Sequence, residues 1–415
     1  MSTLTDKGPS TGAPAPKERP AGIVGTALNY LTGQLRQVGL FIALIAIIIF
    51  FQITTNGITL APINVSNLII QNSYILILAV GMVLVIIAGH IDLSVGSVVA
   101  FTGAAAGVMI TQWGLPWWLA AVLCLVLGAA VGAWQGFWIA YFGIPAFIVT
   151  LAGMLTFRGL TQIVLQNQQI SPFPDKFRDL GSGFLPDLGG GTSFLEPLTV
   201  IIGVLSAAAL VGSGIRQRMI RRRHQLVDEP ILWFSAKLVL TAGLILFITY
   251  LLASYRGTPI VLVILGLLTV GYSAVMNRSV WGRHIYAMGG NLHAADLSGI
   301  NTKRTTFTVF INMGVLAALA GLVFTAQLNL ASPKAGEGFE LDAIAAVFIG
   351  GAAVTGGIGR VTGAIIGGLI IGILNNGMSI MGVGTEYQQL IKGLVLLAAV
   401  AFDVFNKRRG SASIT

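Results

Sequence analysis

The sequence predicts an all-α polytopic membrane protein of about twelve transmembrane helices. Three observations point there. Charged residues make up 9% of the chain and apolar residues 55%, against about 25% charged in ordinary soluble domains. The mean hydropathy is +0.85. No charged residue stands between Arg36 and Asp92, and none between Asp92 and Arg158; each gap exceeds two crossings of about 20 residues. Such continuous apolar runs do not alternate as barrel strands do, so the backbone must satisfy its polar groups as helices.

In chain order, a Pro/Ala/Lys tail over 1–36 precedes a first apolar run near residue 38. That run lies too deep for a cleavable signal and reads as a retained span. Crossings are expected at about 38–55, 65–88, 95–113, 117–141 and 147–166. After an interruption they resume at about 197–213, 231–253 and 257–276, then at about 305–327, 341–357, 361–378 and 387–405. The Gly-broken pieces around 88–96 and 350–363 need not cross fully. The 37–405 membrane domain would end in a second tail, 406–415.

An even count puts both ends on one side, and basic residues say which. Segments assigned inside hold Arg36, the cluster Arg216, Arg218, Arg221, Arg222 and Arg223, then Arg278, Arg283, Lys303, Arg304, Arg360 and Lys407. Outside segments hold only Lys176, Arg178, Arg256 and Lys334. By the positive-inside rule both termini are expected in the cytoplasm. The loop 167–196 then lies outside and the segment 277–304 inside. The excess of basic residues fits membrane lipid better than nucleic acid.

The chemistry of whole function classes is missing from the sequence. There is no G-x-x-x-x-G-K-[ST] to cradle nucleotide phosphates and no G-x-S-x-G elbow. His90, His224, His284 and His293 offer no helical pair at metal-ligand spacing, and Cys124 is the single cysteine. No catalytic residue, metal site or cofactor is expected.

Three segments are left to carry function. "IIAGHIDLSVGSVVAFTGAAAG" (86–107) places His90, Asp92 and Ser94 at a glycine-flanked break. A carboxylate near membrane depth must be buried in protein or face water. Asp92 therefore either gates a path or caps the next helix with Ser94, and the two roles are compatible. The Gly-dense run 345–378 is a second break, of the kind seen in discontinuous transporter helices; close helix packing explains most of its glycines. Asn375, Asn376, Tyr387, Gln388 and Gln389 add uncharged hydrogen-bonding groups suited to a sugar path. Lys392 and Arg158 are isolated charges to which the sequence assigns no role. Third, "GGNLHAADLSGINTKR" (289–304) is a polar segment rich in small residues, with Ala294, Ala295, Ser298 and Gly299 expected on one side of a short helix.

Together, "HIDLSVGS" (90–97), "PAFIVTLAGMLTFRGL" (145–160), "GGNLHAADLSGIN" (289–301), "GGAAVTGGIGRVTGAIIG" (350–367) and "YQQLIKGLVLLAAVAFD" (387–403) resemble the permease subunit of bacterial sugar ABC importers, in the ribose/xylose/multiple-monosaccharide branch. The resemblance covers most of 60–405. It departs at His90, where the family usually has Gly, and around 167–255, where a hairpin of about two spans (197–255) is inserted into a ten-span plan. It implies an inner-membrane subunit of an ATP-driven monosaccharide importer. The implied partners are a separate ABC ATPase, a periplasmic sugar-binding protein and a second copy of the chain. It also implies that Gly289, Gly290, Asn291, His293, Ala294, Ala295, Asp296, Ser298, Gly299 and Ile300 dock the ATPase, a small-faced helix fitting a partner groove. The rival reading is an ion-coupled secondary transporter with Asp92 as its carboxylate.

Overall fold

The structure, a computed structural model, describes residues 35–187, 195–224 and 230–412, with side chains between 39 and 398. Residues 1–34 of the expected tail over 1–36, with Lys7, Lys17 and Arg19, and the side chains of the C-terminal tail lie outside what is described, while residues 35 and 36 already belong to the first helix. Among the described residues fifteen helices run in order: α1 Leu35–Thr54, α2 Pro62–Ile87, α3 Val95–Gly107, α4 Trp117–Ala140 and α5 Ala146–Leu165. Next come α6 Asp175–Ser182, α7 Pro197–Arg223, α8 Ile231–Ala253, α9 Ile260–Arg278, α10 Val280–Gly290 and α11 Leu292–Leu297. The last are α12 Thr302–Leu328, α13 Phe339–Ile349, α14 Val361–Ile380 and α15 Thr385–Ala412. The all-α membrane class is therefore observed. Among the described residues nine helices are long and apolar enough to cross a bilayer: α2, α3 with its π-turn Val108–Gln112, α4, α5, α7, α8, α9, α12 and α14.

Proline sets many of the starts. Pro62 and Pro197 open α2 and α7 from inside the first turn, and Pro116, Pro145, Pro230 and Pro259 stand just before α4, α5, α8 and α9. A fixed φ and a missing N–H suit the place where helical donors have no partner anyway. Two long helices end on left-handed residues, Gln166 (φ 51°) after α5 and Asn329 (φ 54°) after α12.

Helix α2 is the hub. In its most apolar window 89% of residues are buried, against none in that of α8. The side chains of α2 pack on α12, α13 and α14, while α7 and α8 form a hairpin on the periphery. Gly203 of α7 leaves room for Thr249 of α8, and Thr199 meets Thr258 at 2.9 Å. Their outward residues, among them Leu205, Val239 and Leu240, are exposed and apolar, as a lipid-facing surface requires. The Arg216–Arg223 cluster lies on the last turns of α7, a longer helix than the expected 197–213.

α4 and α12 touch backbone to backbone. Gly128 and Gly132 face Gly314 and the Phe310 carbonyl so closely that a Cβ at either would overlap main-chain atoms. In lipid, where apolar burial drives no association, this small-residue approach is what holds helices together.

One expected crossing is corrected. Residues 341–357 do not form a full span: α13 stops at Ile349 after 11 residues, because Gly350 and Gly351 begin a turn in which Gly351, Gly356 and Gly357 all have positive φ. The way across is made differently. Ala331 pairs with Ile170 through two 3.0 Å backbone bonds and lies against Gly107 of α3. Gly336 then meets Gly96, near the start of the same helix. Eleven residues of α3 separate these contacts, roughly 16 Å at 1.5 Å per residue. From Ala331 to Gly336 the connection is non-helical and includes a tight turn, in which the Ala335 N–H donates to the Ser332 carbonyl at 3.0 Å. The chain thus runs back beside α3, and α13 completes the passage with roughly another 16 Å. The other expected break also exists: residues 88–94 between α2 and α3 are not helical.

Gly132→Val should lower stability by about 1–3 kcal/mol through overpacking. Gly271→Ala on α9, with open space around it, should stay within about 0.5 kcal/mol of the parent. Thermal unfolding in detergent measures both.

Candidate functional site

The broken crossing creates a polar cavity. Its volume is about 550 Å³, within the roughly 300–1,000 Å³ of small-molecule sites. α2 supplies Gln71, Asn72 and Tyr74, the turn before α13 supplies Glu337, and the start of α13 supplies Phe339 and Asp342. α14 adds Asn375, Asn376 and Ser379; α15 adds Gln388, Gln389 and Lys392.

Each wall is fixed by local contacts. Asn64 and Asn376 exchange amide hydrogen bonds of 2.9 and 3.0 Å, tying α2 to α14. Tyr74 stacks on Phe339 with ring centroids 4.0 Å apart, and both meet Phe324 edge-on. Lys392 Nζ donates to Asp342 Oδ1 at 2.8 Å and to Oδ2 at 3.2 Å, with side chains 22% and 11% exposed. Asn375 Oδ1 is buried and accepts no hydrogen bond. Arg158 of α5 donates to the carbonyls of Pro333 and Ala335, holding the returning chain in place.

The structure thus brings together four residues singled out in the sequence: Asn375, Asn376, Gln388 and Gln389. Tyr387 is exposed and does not line the cavity. His90, Asp92 and Ser94 do not line this cavity. Asp92 Oδ1 accepts from the backbone N–H (2.8 Å) and Oγ (2.6 Å) of Ser94, whose Oγ accepts from Gln135 at 2.7 Å. That is an Asx-type turn leading into α3, the structural alternative of the two weighed for Asp92. His90 packs beside Phe310, ring centroids 5.8 Å apart. Sequence reasoning missed Tyr74, Asp342, Arg158 and Lys392 as site-building residues. A lone charge in an apolar run was the available signal for Arg158 and Lys392, whereas Asp342 follows Lys334, Glu337 and Glu340 closely.

The second candidate region is the segment α10–α11. Each helix there starts on a side-chain cap: Ser279 accepts from Gly282 N–H at 3.0 Å, Asn291 from Ala294 and Asn301 from Arg304, both at 2.9 Å. These caps fix a short polar excursion that propensity alone would not hold. The exposed face carries His293, Ala294, Asp296, Ser298 and Gly299, with Gly290 and Asn291 also exposed and Ile300 half-buried.

Two expectations change. Ala295 is buried and points into the protein, because a six-residue helix between two caps has its rotation set by them. Gly289 is a packing position: a Cβ there would overlap the Ile87 carbonyl and crowd the Gly357 amide. Leu292 and Leu297, at 54% and 77% exposed, belong to the surface and were not anticipated. The same region grips the glycine turn after α13. Gly357 N–H donates to Ile87 O at 2.9 Å, and Tyr286 Oη to Gly359 O at 2.8 Å. Burial raises the Tyr286 phenol above its ordinary value, and nearby Arg360 opposes that rise.

Asp92→Asn keeps an acceptor for Ser94 and should change stability by no more than about 0.5 kcal/mol. Asp92→Leu strands the buried Ser94 N–H and should cost about 1–3 kcal/mol. Unfolding midpoints decide between them, and complete loss of transport in a well-folded Asp92→Asn variant would instead mark a gate.

Known proteins place this geometry. The profile of the family described as branched-chain amino acid transport system / permease component matches residues 64–400. The xylose transport system permease protein XylH of Escherichia coli (strain K12) is 44% identical over 367 residues, 88% of this chain and 91% of that protein. XylH of Haemophilus influenzae is 41% identical over 370 residues, covering 89% and 96%. The ribose import permease protein RbsC of E. coli (strain K12) is 34% identical over 379 residues, covering 90% and 95%. No solved structure matches the chain. The chain belongs to this family of transport-system permease components, within the branch that holds the xylose and ribose permeases.

Proposed function

We propose that this chain is the membrane-spanning permease of an ATP-driven importer for a neutral monosaccharide of the xylose and ribose class, working in a bacterial inner membrane with both termini in the cytoplasm. The observation that carries the reading is the amide-rich cavity at the broken crossing, in a chain similar over most of its length to a xylose permease. Two copies form the path, and a periplasmic sugar-binding protein delivers the substrate. A separate ATPase docks on the segment 289–301, and the chain's own work is a conformational equilibrium that these partners bias by binding its states unequally.

The α10–α11 surface suits the docking role. Leu292 and Leu297 offer apolar anchors, and His293 and Asp296 offer polar contacts around them. Exposed apolar residues rimmed by polar ones mark interaction sites. Motion imposed there reaches the cavity through Gly289, Gly357 and the glycine turn, which joins α13 to α14. For an ion-coupled mechanism Asp92 is bound to Ser94 outside the cavity and Asp342 is paired with Lys392, which leaves the exposed Glu337 as the cavity carboxylate it would have to use.

In proteoliposomes holding permease, ATPase and binding protein, Leu297→Asp and Gly299→Trp should cut sugar-stimulated ATP hydrolysis about tenfold, the equivalent of about 1.4 kcal/mol, while the permease still reaches the membrane. Ala295→Trp should instead lower the yield of folded permease, since that side chain faces the core. Unchanged ATP hydrolysis in the first two variants would remove the docking role.

A further inference from the structure

We propose that the Lys392–Asp342 pair is the polar seat of an intramembrane binding site for one neutral polyhydroxyl solute. The inference rests on the importer reading and goes beyond it by assigning contacts within the membrane.

The pair is out of place as a mere strut. Charges at membrane depth are expensive, and a buried ion pair stabilises a fold no better than apolar packing of the same volume. Asp342 sits on the half-length helix α13 and Lys392 on α15, so the pair bridges two of the four elements that line the cavity. Both line it, next to amides whose neighbours are already satisfied. Asn376 is committed to Asn64, and Gln388 donates to the Val383 carbonyl at 2.9 Å. Asn375 Oδ1, by contrast, is a buried acceptor with no donor, and such an atom calls for a hydroxyl or a water.

A hydroxyl group both donates and accepts. Two neighbouring hydroxyls entering between Lys392 and Asp342 can donate to the carboxylate and accept from the ammonium, replacing each bond they displace and leaving the pair neutral as a unit. Hydrogen bonds to ionised groups are about twice as strong as neutral ones, so the pair outcompetes amides for these hydroxyls. A third hydroxyl satisfies Asn375, and the face of the ring lies toward Tyr74. An ionised sugar acid would place a second anion beside Asp342 with one cation to share. The site therefore selects neutral solutes, independently of what the delivery partner selects.

The test uses the assembled importer in proteoliposomes, with Gln389→Cys as a reporter on the cavity wall in a Cys124→Ser background. D-xylose should slow labelling of the reporter by a water-soluble maleimide about tenfold, and sodium D-gluconate at the same concentration should not. Lys392→Gln with Asp342→Asn removes both charges without stranding either; that double variant should assemble at parental levels, lose the protection and take up xylose about tenfold more slowly. Equal protection by gluconate, no protection by xylose, or unchanged protection in the double variant would each overturn the site. If the parental importer carries no neutral monosaccharide at all, the importer reading itself fails, which is a separate result.

Discussion

Inside a bilayer each backbone N–H and C=O must find a partner within the protein, and the candidate cavity lies beside a place where a helix does not provide it. Between Ala331 and Gly336 the chain lies beside α3 as a non-helical connection that turns at Ser332–Ala335. It is tolerated because Gly96 and Gly336 let the two backbones touch, because Ile170 pairs with Ala331, and because Arg158 reaches over to the Pro333 and Ala335 carbonyls. The cavity lies where a non-helical connection and the half-length helix α13 take the place of a full helix.

The same economy links the two regions of interest. The glycine turn 350–360 ends the half-helix, and Gly357 and Gly359 fasten it to Ile87 and Tyr286. Gly289 closes that contact with no room for a side chain. A displacement of α10 and α11 therefore cannot be absorbed locally; packed interfaces move between discrete arrangements and do not deform continuously. The elements nearest this junction, α13 and α14, are two of the cavity's walls.

Much of this was legible in the sequence, for identifiable reasons. Long uncharged runs fix the class, and glycine clusters flanking 88–96 and 350–363 locate both breaks. Asn375, Asn376, Gln388 and Gln389 stand out because amides are conspicuous in apolar helices. Asp342 and Lys392 did not stand out as a pair, since 50 residues on different elements separate them and no periodicity relates such positions. Span counting by length alone read 341–357 as a helix, although a run of apolar residues equally suits a half-helix followed by a turn. Ala295 was assigned outward because spacing defines a helix face but not which way a one-and-a-half-turn helix is rotated against its neighbours. The exposed Leu292 and Leu297 escaped for the opposite reason: attention to small residues hid two large ones.

Hydrogen exchange of the purified permease in lipid nanodiscs tests the central claim, that residues 329–349 cross the bilayer by a water-accessible broken path. Amides of 336–342 should exchange at least about tenfold faster than those of 311–322 in the middle of α12, as expected where stability is locally low and water has access. Equal, deep protection of both segments would show a regular buried helix there and contradict the account.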